Sequence, residues 1–169
     1  MTIDALQSLL AEICQKNGMP ALAFDEDQMV TTPFGEGQVL NLRYREDADE
    51  LTLLASLGEV PPHAQAAALM ELMKGNFNRP ADAGVFAWCE AVGQPVLQRR
   101  IACEGLTAAA LDDVLTRVLT VADASARQLS RLSADLDPDE QEYGGGIKAE
   151  PLEDAMPPSD LMNPDVIRG

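Results

Sequence analysis

The sequence predicts an α+β domain built, in order, from a helix, an antiparallel strand meander, a second helix, a β-hairpin and a long C-terminal helix. Two patterns predict this class. Apolar residues recur at helical spacing in three separate stretches, and short extended stretches bounded by turn residues lie between them. Apolar residues make up 46% of the 169 residues, which suffices for one hydrophobic core.

The first helix is predicted to begin after Thr2, because its hydroxyl can cap the first turn and Asp4 suits the positive end of the helix. Asn17, Gly18 and Pro20 predict the end of the helix, since glycine accepts the left-handed closing conformation and proline cannot continue a helix. The apolar stripe of this helix consists of Ile3, Leu6, Leu10 and Ile13.

Four short extended segments follow the first helix, and acidic or glycine-containing turns separate them. In the third segment Leu40, Leu42 and Tyr44 alternate with residues that would point to the opposite side, as a sheet with one buried face requires. We therefore expect an antiparallel meander, with strands at residues 21–24, 29–32, 38–44 and 51–57.

The second helix is predicted to start at Pro61 and Pro62, because proline fits the first turn of a helix. Gly75 and Pro80 predict its end. The apolar residues between these limits would share one side of the helix, and they are Ala66, Leu69, Met70, Met73 and Phe77.

Segments 85–92 and 95–103 predict a β-hairpin that turns at Gly93 and Gln94. After it, Thr107 can cap a closing helix of about seven turns. Apolar residues at three- and four-residue spacing mark this helix, and they are Leu111, Leu115, Val118, Ala122, Leu129 and Leu132.

The apolar pattern ends after Leu132, which predicts a domain boundary near residue 133. Residues 134–169 contain ten acidic residues against Lys148 and Arg168, together with five prolines and three consecutive glycines. Such a segment cannot bury enough apolar surface to offset the entropy cost of ordering. We predict a folded domain at residues 1–133 and an acidic, disordered tail at residues 134–169.

The charge balance argues against several classes of partner. The formal net charge is -16 and the isoelectric point is about 4.2, so the field around the protein would repel phosphate backbones and anionic lipids. We expect no nucleic-acid or membrane partner. The first residues lack the pattern of a signal peptide and no apolar run is long enough to span a bilayer, which predicts a cytoplasmic protein.

The sequence offers no set of residues typical of catalysis. His63 is the single histidine, and no nucleophile elbow, phosphate loop or dinucleotide motif is present. The cysteines have no paired spacing and predict buried, reduced thiols at Cys14, Cys89 and Cys103. Acidic turns at residues 25–27 and 46–50 lack the ordered spacing of a calcium loop. We therefore predict no catalytic residue, no cofactor and no metal site.

The order of elements and the stretch from Gly84 to Ile101 resemble a known family. That stretch has a strand, Gly84-Val85-Phe86-Ala87-Trp88, a tight turn at Gly93-Gln94-Pro95, and a second strand that contains Leu97-Gln98-Arg99-Arg100-Ile101. In this it resembles the Tir-chaperone (CesT-like) family of type III secretion chaperones, the class I effector chaperones. The resemblance covers about residues 1–132, and the acidic tail is longer than the family pattern needs.

The resemblance implies a sandwich-like α/β protomer that forms a homodimer. In this family the second helix and the neighbouring strands make the dimer, which here corresponds to residues 64–77 and 85–89. The residues that the resemblance places at the dimer interface are Leu69, Met70, Met73, Phe77, Phe86 and Trp88.

The resemblance also implies the cargo, which is the N-terminal region of a secreted effector. That region wraps around the chaperone in extended form and stays soluble and competent for secretion, and its release would fall to the secretion ATPase. The residues that the resemblance places in the effector-binding groove are Leu6, Leu10, Ile13, Leu22, Phe24, Val39 and Leu54.

A second interpretation remains open at this point. The same layout is compatible with a small cytoplasmic regulatory or sensory binding domain that has no connection with secretion. Both interpretations describe a protein that binds another polypeptide, and both rest on apolar surface rather than on catalytic groups.

Overall fold

The computed structural model describes residues 1–77 and 84–136, and it has the predicted α+β architecture. Two short 3-10 turns, Glu46–Ala48 and Pro62–Ala64, lie in the connections. Beyond residue 136 the predicted disordered tail lies outside the described residues. The helices are α1 (Ile3–Lys16), α2 (Gln65–Phe77) and α3 (Ala108–Asp135), and the strands are β1 (Met29–Phe34), β2 (Gln38–Arg45), β3 (Glu50–Ser56), β4 (Val85–Cys89) and β5 (Gln94–Ala102).

The five strands form one antiparallel sheet in the order β1-β2-β3-β5-β4. The predicted meander of β1, β2 and β3 and the predicted hairpin of β4 and β5 are both confirmed. β1 and β4 are the two edges of this sheet, so each has one row of backbone groups that no other strand pairs.

One face of the sheet carries the core. Leu40, Leu42 and Tyr44 on β2 are at most 3% exposed and belong to the same buried cluster as residues of α1 and α3. The alternate residues of β2, such as Val39 and Arg43, are half-buried or exposed. The helices therefore cover one face of the sheet and leave the other face largely uncovered, as the alternation in the sequence predicted.

The predicted caps of the first and last helices are confirmed. The hydroxyl of Thr2 accepts a hydrogen bond from the backbone N–H of Ala5 (3.3 Å), and that of Thr107 accepts one from the N–H of Ala110 (3.2 Å). α3 continues to Asp135, past the end that the apolar pattern predicted.

The predicted strand at residues 21–24 is wrong, because this segment pairs with no strand. Its backbone groups bond to a side chain of α1 instead: the Gln7 amide donates to the Leu22 carbonyl (2.6 Å) and accepts from the Phe24 N–H (3.0 Å). The segment cannot pair with β2, because β1 and β3 occupy the two sides of that strand. A side-chain amide thus replaces the missing strand.

The end of β4 and the start of the second helix also differ from the predictions. β4 ends at Cys89 because the following residues form a turn, in which the Val92 N–H donates to the Cys89 carbonyl (3.3 Å). The prolines before the second helix start a 3-10 turn, and α2 itself begins at Gln65.

Cys14 and Cys103 are buried as predicted, whereas Cys89 is half-buried; all three thiols are free.

α2 is fixed to edge strand β4 by one side chain. The Asn76 amide donates to the Phe86 carbonyl (2.9 Å) and accepts from the Phe86 N–H (2.7 Å). At Gly75 a Cβ atom would lie 2.9 Å from the Phe86 ring, so the glycine permits this close approach. Ala68 and Leu72 complete the buried side of α2.

α1 and α3 are joined by an ion pair between their ends. The Lys16 ammonium lies 2.7 Å from the Asp112 carboxylate, and the Asn17 amide donates to the other carboxylate oxygen (3.3 Å). The hydrogen bond from Lys16 lowers the pKa of Asp112, and the same contact raises the pKa of Lys16. Because the pKa of Asp112 is lower in the folded state, the pair stabilises the fold above about pH 4 and is lost as the pH falls through the lowered pKa.

We expect Asp112→Asn to lower the melting temperature at neutral pH, since it removes the charge that Lys16 bonds. The difference from the wild type should shrink as the pH falls below about 4, where Asp112 becomes protonated in both states. Thermal unfolding followed by circular dichroism between pH 7 and pH 3 measures this. Asp113→Asn is the matched control, because the exposed Asp113 side chain forms no ion pair within the described residues. A pH-independent difference for Asp112→Asn would contradict the linkage.

We expect Asn76→Ala to lower the free energy of unfolding by about 1–3 kcal/mol, because two partly buried hydrogen bonds to the backbone of Phe86 are lost. Gln128→Ala serves as control: it removes an exposed hydrogen bond to Glu71 (2.8 Å) that also joins α2 to the rest of the fold. Urea denaturation of both variants provides the measurement. Equal losses would show that Asn76 is no special anchor for α2.

Candidate protein-binding surfaces

The outer side of α2 exposes more apolar surface than any other described helix. We call Leu69, Met70, Met73 and Phe77 the α2 surface; their exposed fractions are 40%, 57%, 64% and 90%. They share one side of the helix because positions three and four residues apart are neighbours. Large apolar side chains in contiguous exposed patches mark sites where proteins bind partners.

The α2 surface is exposed because the opposite side of the helix does the packing. Ala68, Leu72 and Asn76 face the protein's own β4 and core. Two other residues predicted at the dimer interface lie elsewhere: Phe86 is 7% exposed and part of the core, and Trp88 is half-buried against it. Both side chains lie on the helix-covered face of β4. The structure therefore brings together four of the six predicted interface residues.

The predicted groove residues of α1 lie inside the protein. Leu6, Leu10 and Ile13 are at most 3% exposed and pack in the core. Leu22 and Phe24 are half-buried against the same core, in the segment that Gln7 holds. These five residues form one continuous apolar layer, of which only the last two have surface that a partner can reach.

The other two predicted groove residues lie on the opposite face of the sheet. Val39 on β2 and Leu54 on β3 are half-buried and point to the uncovered face. Their strands are adjacent: Leu54 lies opposite Asn41 in the register, and the Val39 N–H donates to the Ser56 hydroxyl (2.7 Å). Diagonal neighbours at this spacing are within reach of each other. The predicted groove thus divides into two separate surfaces.

The edge of β1 offers a short stretch of unpaired backbone. Because the Tyr44 N–H donates to the Gln28 carbonyl (3.0 Å), alternation of the antiparallel ladder directs the backbone groups of Met29, Thr31 and Pro33 away from β2. Asp25 takes both groups of Met29, its carboxylate accepting from the N–H and its own N–H donating to the carbonyl (2.8 Å each).

Thr31 is consequently the open point of this edge. Pro33 has no N–H, and its carbonyl receives only a long contact from the Thr32 hydroxyl (3.5 Å). Neither the N–H nor the carbonyl of Thr31 has a partner among residues 1–77 and 84–136. On the other edge, Asn76 takes both groups of Phe86 on β4. An extended polypeptide therefore finds free hydrogen-bonding groups at Thr31.

The sequence did not reveal which strand edge stays open or which side chains shape it. The prediction placed Pro33 in the turn after the strand at residues 29–32, whereas the structure has it inside β1. Proline next to a strand is a signal for an edge strand, and Asp25 before a strand is a signal for a side chain that bonds the backbone. Gln7 and Asn76 carry no such local signal, because their partners lie 15 and 10 residues away.

No described cluster resembles a catalytic or metal centre. The Nε2 atom of His63 lies 3.3 Å from the Ser133 carbonyl, next to the end of α3. No group of three metal-ligating side chains is found within residues 1–77 and 84–136, and no helix there is long and apolar enough to cross a membrane. The features that stand out in the described residues are the α2 surface and the open edge of β1.

Comparison with solved structures finds the same fold. The crystal structure of the ExsC–ExsE complex matches with a TM-score of 0.66 and 24% identity, and the match covers 75% of this chain and 95% of that chain. The structure of the HopA1–SchA chaperone–effector complex matches with a TM-score of 0.58 and 18% identity, over 75% of this chain and 98% of that chain.

A third structure is the Yersinia pestis type III secretion chaperone SycH in complex with a stable fragment of YscM2. It matches with a TM-score of 0.53 and 19% identity, over 69% of this chain and 95% of that chain. At these identities the three structures establish the fold. A comparison with curated protein sequences gives no significant match.

The comparison with protein families identifies the family as well as the fold. The model of the Tir chaperone protein (CesT) family matches residues 8–125, which spans most of α1, the whole sheet, α2 and most of α3. The resemblance inferred from the sequence is thereby confirmed over more than half of the chain. This chain belongs to the Tir chaperone protein (CesT) family.

Proposed function

We propose that this protein is a type III secretion chaperone that binds the N-terminal region of a secreted effector and keeps it soluble and competent for secretion. The observation that carries the proposal is membership of the Tir chaperone family. Two structures with the same fold are complexes of this kind: one is named as a chaperone–effector complex, the other as a secretion chaperone bound to a fragment of a second protein.

The effector segment binds in extended form at the edge of β1. The N–H and carbonyl of Thr31 supply two hydrogen bonds, so the segment adds a short strand to the sheet. On the uncovered face, side chains of neighbouring strands form rows across the sheet: Pro33 lies beside Val39, and Thr31 lies beside Asn41 and Leu54. The side chains of the effector segment extend these rows. Main-chain hydrogen bonds of this type are compatible with many effector sequences, and the apolar rows determine which effector side chains fit.

A second contact with the effector lies at Leu22 and Phe24. Their half-buried side chains offer apolar surface on the helix-covered side of the protein. Leu6, Leu10 and Ile13 contribute indirectly, because they pack in the same core and set the position of this surface. A wrapped segment must bury a large area, since it loses its conformational entropy on binding.

The α2 surface forms a homodimer. A two-fold axis brings one patch against its own copy, so Met70 and Met73 of both copies bury each other. Methionine suits such a contact because its side chain adapts to irregular surfaces. Phe86 and Trp88 support the interface from inside each protomer, through α2 and the sheet.

The remaining features of the proposal follow from the same role. The chaperone acts in the bacterial cytoplasm, without catalysis and without a cofactor, and hands its cargo to the secretion ATPase. Its net charge of -16 disfavours nucleic acid and anionic membranes as partners.

Native mass spectrometry of the protein purified gently from its own host tests the function. We expect two copies of this chain with one larger protein, which limited proteolysis shows to be held by its N-terminal region. A chain that carries no polypeptide, from cells that are actively secreting, would contradict the chaperone role.

We expect Thr31→Pro to weaken binding of the identified effector by about tenfold, because it removes an outward N–H and one hydrogen bond of the added strand. Thr31→Ala is the matched control: it shortens the side chain but keeps the N–H. Isothermal titration calorimetry of both variants, with circular dichroism to verify folding, gives the comparison. Equal affinities would place the effector elsewhere than on the β1 edge.

Met73→Glu should convert the dimer to a folded monomer, because it places two charges against each other at the two-fold contact. Val92→Glu is the control, since Val92 is similarly exposed (61%) but lies in the turn between β4 and β5. Sedimentation velocity reports the oligomeric state of both variants. A Met73→Glu variant that remains dimeric would exclude the α2 surface as the interface.

A further inference from the structure

Gln38, at the start of β2, is the one buried polar residue within the described part of the chain, and 6% of its surface is exposed. Its side-chain oxygen Oε1 has no hydrogen-bond partner there. The oxygen lies against Gly35, where the Cβ atom of any other residue would collide with it. Leaving a buried polar atom unpaired disfavours folding, so an apolar residue would be more favourable for folding alone.

Gln38 also lines a cavity between three elements of the fold. The cavity has a volume of about 290 Å³, which is large enough to admit one long side chain, and opens between the β1–β2 hairpin, the connection after β3 and the C-terminal half of α3. Leu57 and Ala126 contribute apolar wall, and Gly58 and Ser130 contribute polar backbone and a hydroxyl.

The charged residues around this cavity are mainly acidic. Glu36, Glu59 and Asp123 line it together with a single cation, Arg127. Asp123 and Arg127 neutralise each other through an ion pair of 2.5 Å. Glu36 and Glu59 form no ion pair within the described residues, so the cavity combines two uncompensated carboxylates with the unpaired amide oxygen. Such a set of acceptors suits a ligand that carries positive charge and several N–H donors.

We propose that this cavity binds an arginine side chain, with Gln38 Oε1 as one acceptor and the carboxylates of Glu36 and Glu59 at the rim. Rotation about the terminal torsion of Gln38, which is soft, turns Oε1 from Gly35 towards the cavity. A guanidinium fits better than an ammonium because its planar fork reaches an amide and a carboxylate at once. The source of the arginine is the bound effector, and this assignment rests on the proposed function.

The test uses the full chain and N-acetyl-arginine-N-methylamide as the probe. We expect saturable shifts of the Gln38 side-chain amide and the Gly58 backbone amide in NMR titration, and none with the norleucine analogue. Gln38→Met keeps the length of the side chain and removes the amide, so the variant should bind the probe about tenfold more weakly or worse. Its melting temperature should equal or exceed that of the wild type, since the unpaired oxygen is gone.

Two results would overturn the inference: shifts of equal size with the norleucine analogue, or undiminished binding of the arginine probe to Gln38→Met. The outcome is independent of the chaperone assignment. A chain that holds an effector but ignores the probe leaves the proposed function standing and removes the arginine site. A chain that binds the probe but holds no effector keeps the site and removes the effector as its source.

Discussion

The one-sided core is the constraint on which the rest of this structure depends. Every second residue of β2 and β3 is buried, and α1 and α3 cover only the face to which these residues point. The opposite face and the edge of β1 remain accessible as a direct consequence. A second helical layer on that face would have produced a more stable protein with no place for an extended partner.

Side-chain amides and carboxylates complete what the backbone leaves unpaired. Gln7 holds the segment before β1, Asp25 takes the exposed groups of Met29, and Asn76 does the same for Phe86 on β4. Gln7 and Asn76 each do this with one side chain, and Asp25 does it with its carboxylate and its backbone N–H. As a result each sheet edge is partly covered: Asn76 bonds Phe86 on β4, and Asp25 bonds Met29 on β1 and leaves Thr31 open.

Most of the fold was predictable from the sequence, because the periodicity of apolar residues and the caps at Thr2 and Thr107 are local signals. The binding surfaces were less predictable. The second helix has apolar residues on both sides, and periodicity alone does not say that Leu72 packs inside while Met73 faces outwards. The extended segment at residues 21–24 has the composition of a strand, but its partner is the distant Gln7, and long-range pairing leaves no local pattern.

The candidate groove shows the same limit. Leu6 and Leu54 are both apolar, yet they lie on opposite sides of the sheet, since strand register and helix placement decide which face a residue reaches. The family resemblance predicts the class of ligand. The fold is needed to distinguish the residues that reach a binding surface from the buried residues that only position it.

Pro33 has a consequence for the behaviour of the protein at high concentration. Open strand edges invite copies of the same chain to pair with one another and aggregate. Because Pro33 has no N–H and Asp25 occupies Met29, two β1 edges could share only the bonds of Thr31 and of the Pro33 carbonyl. The edge is too short for sheet-to-sheet growth into fibrils, yet it is long enough to begin pairing with a flexible guest that gains further contacts elsewhere.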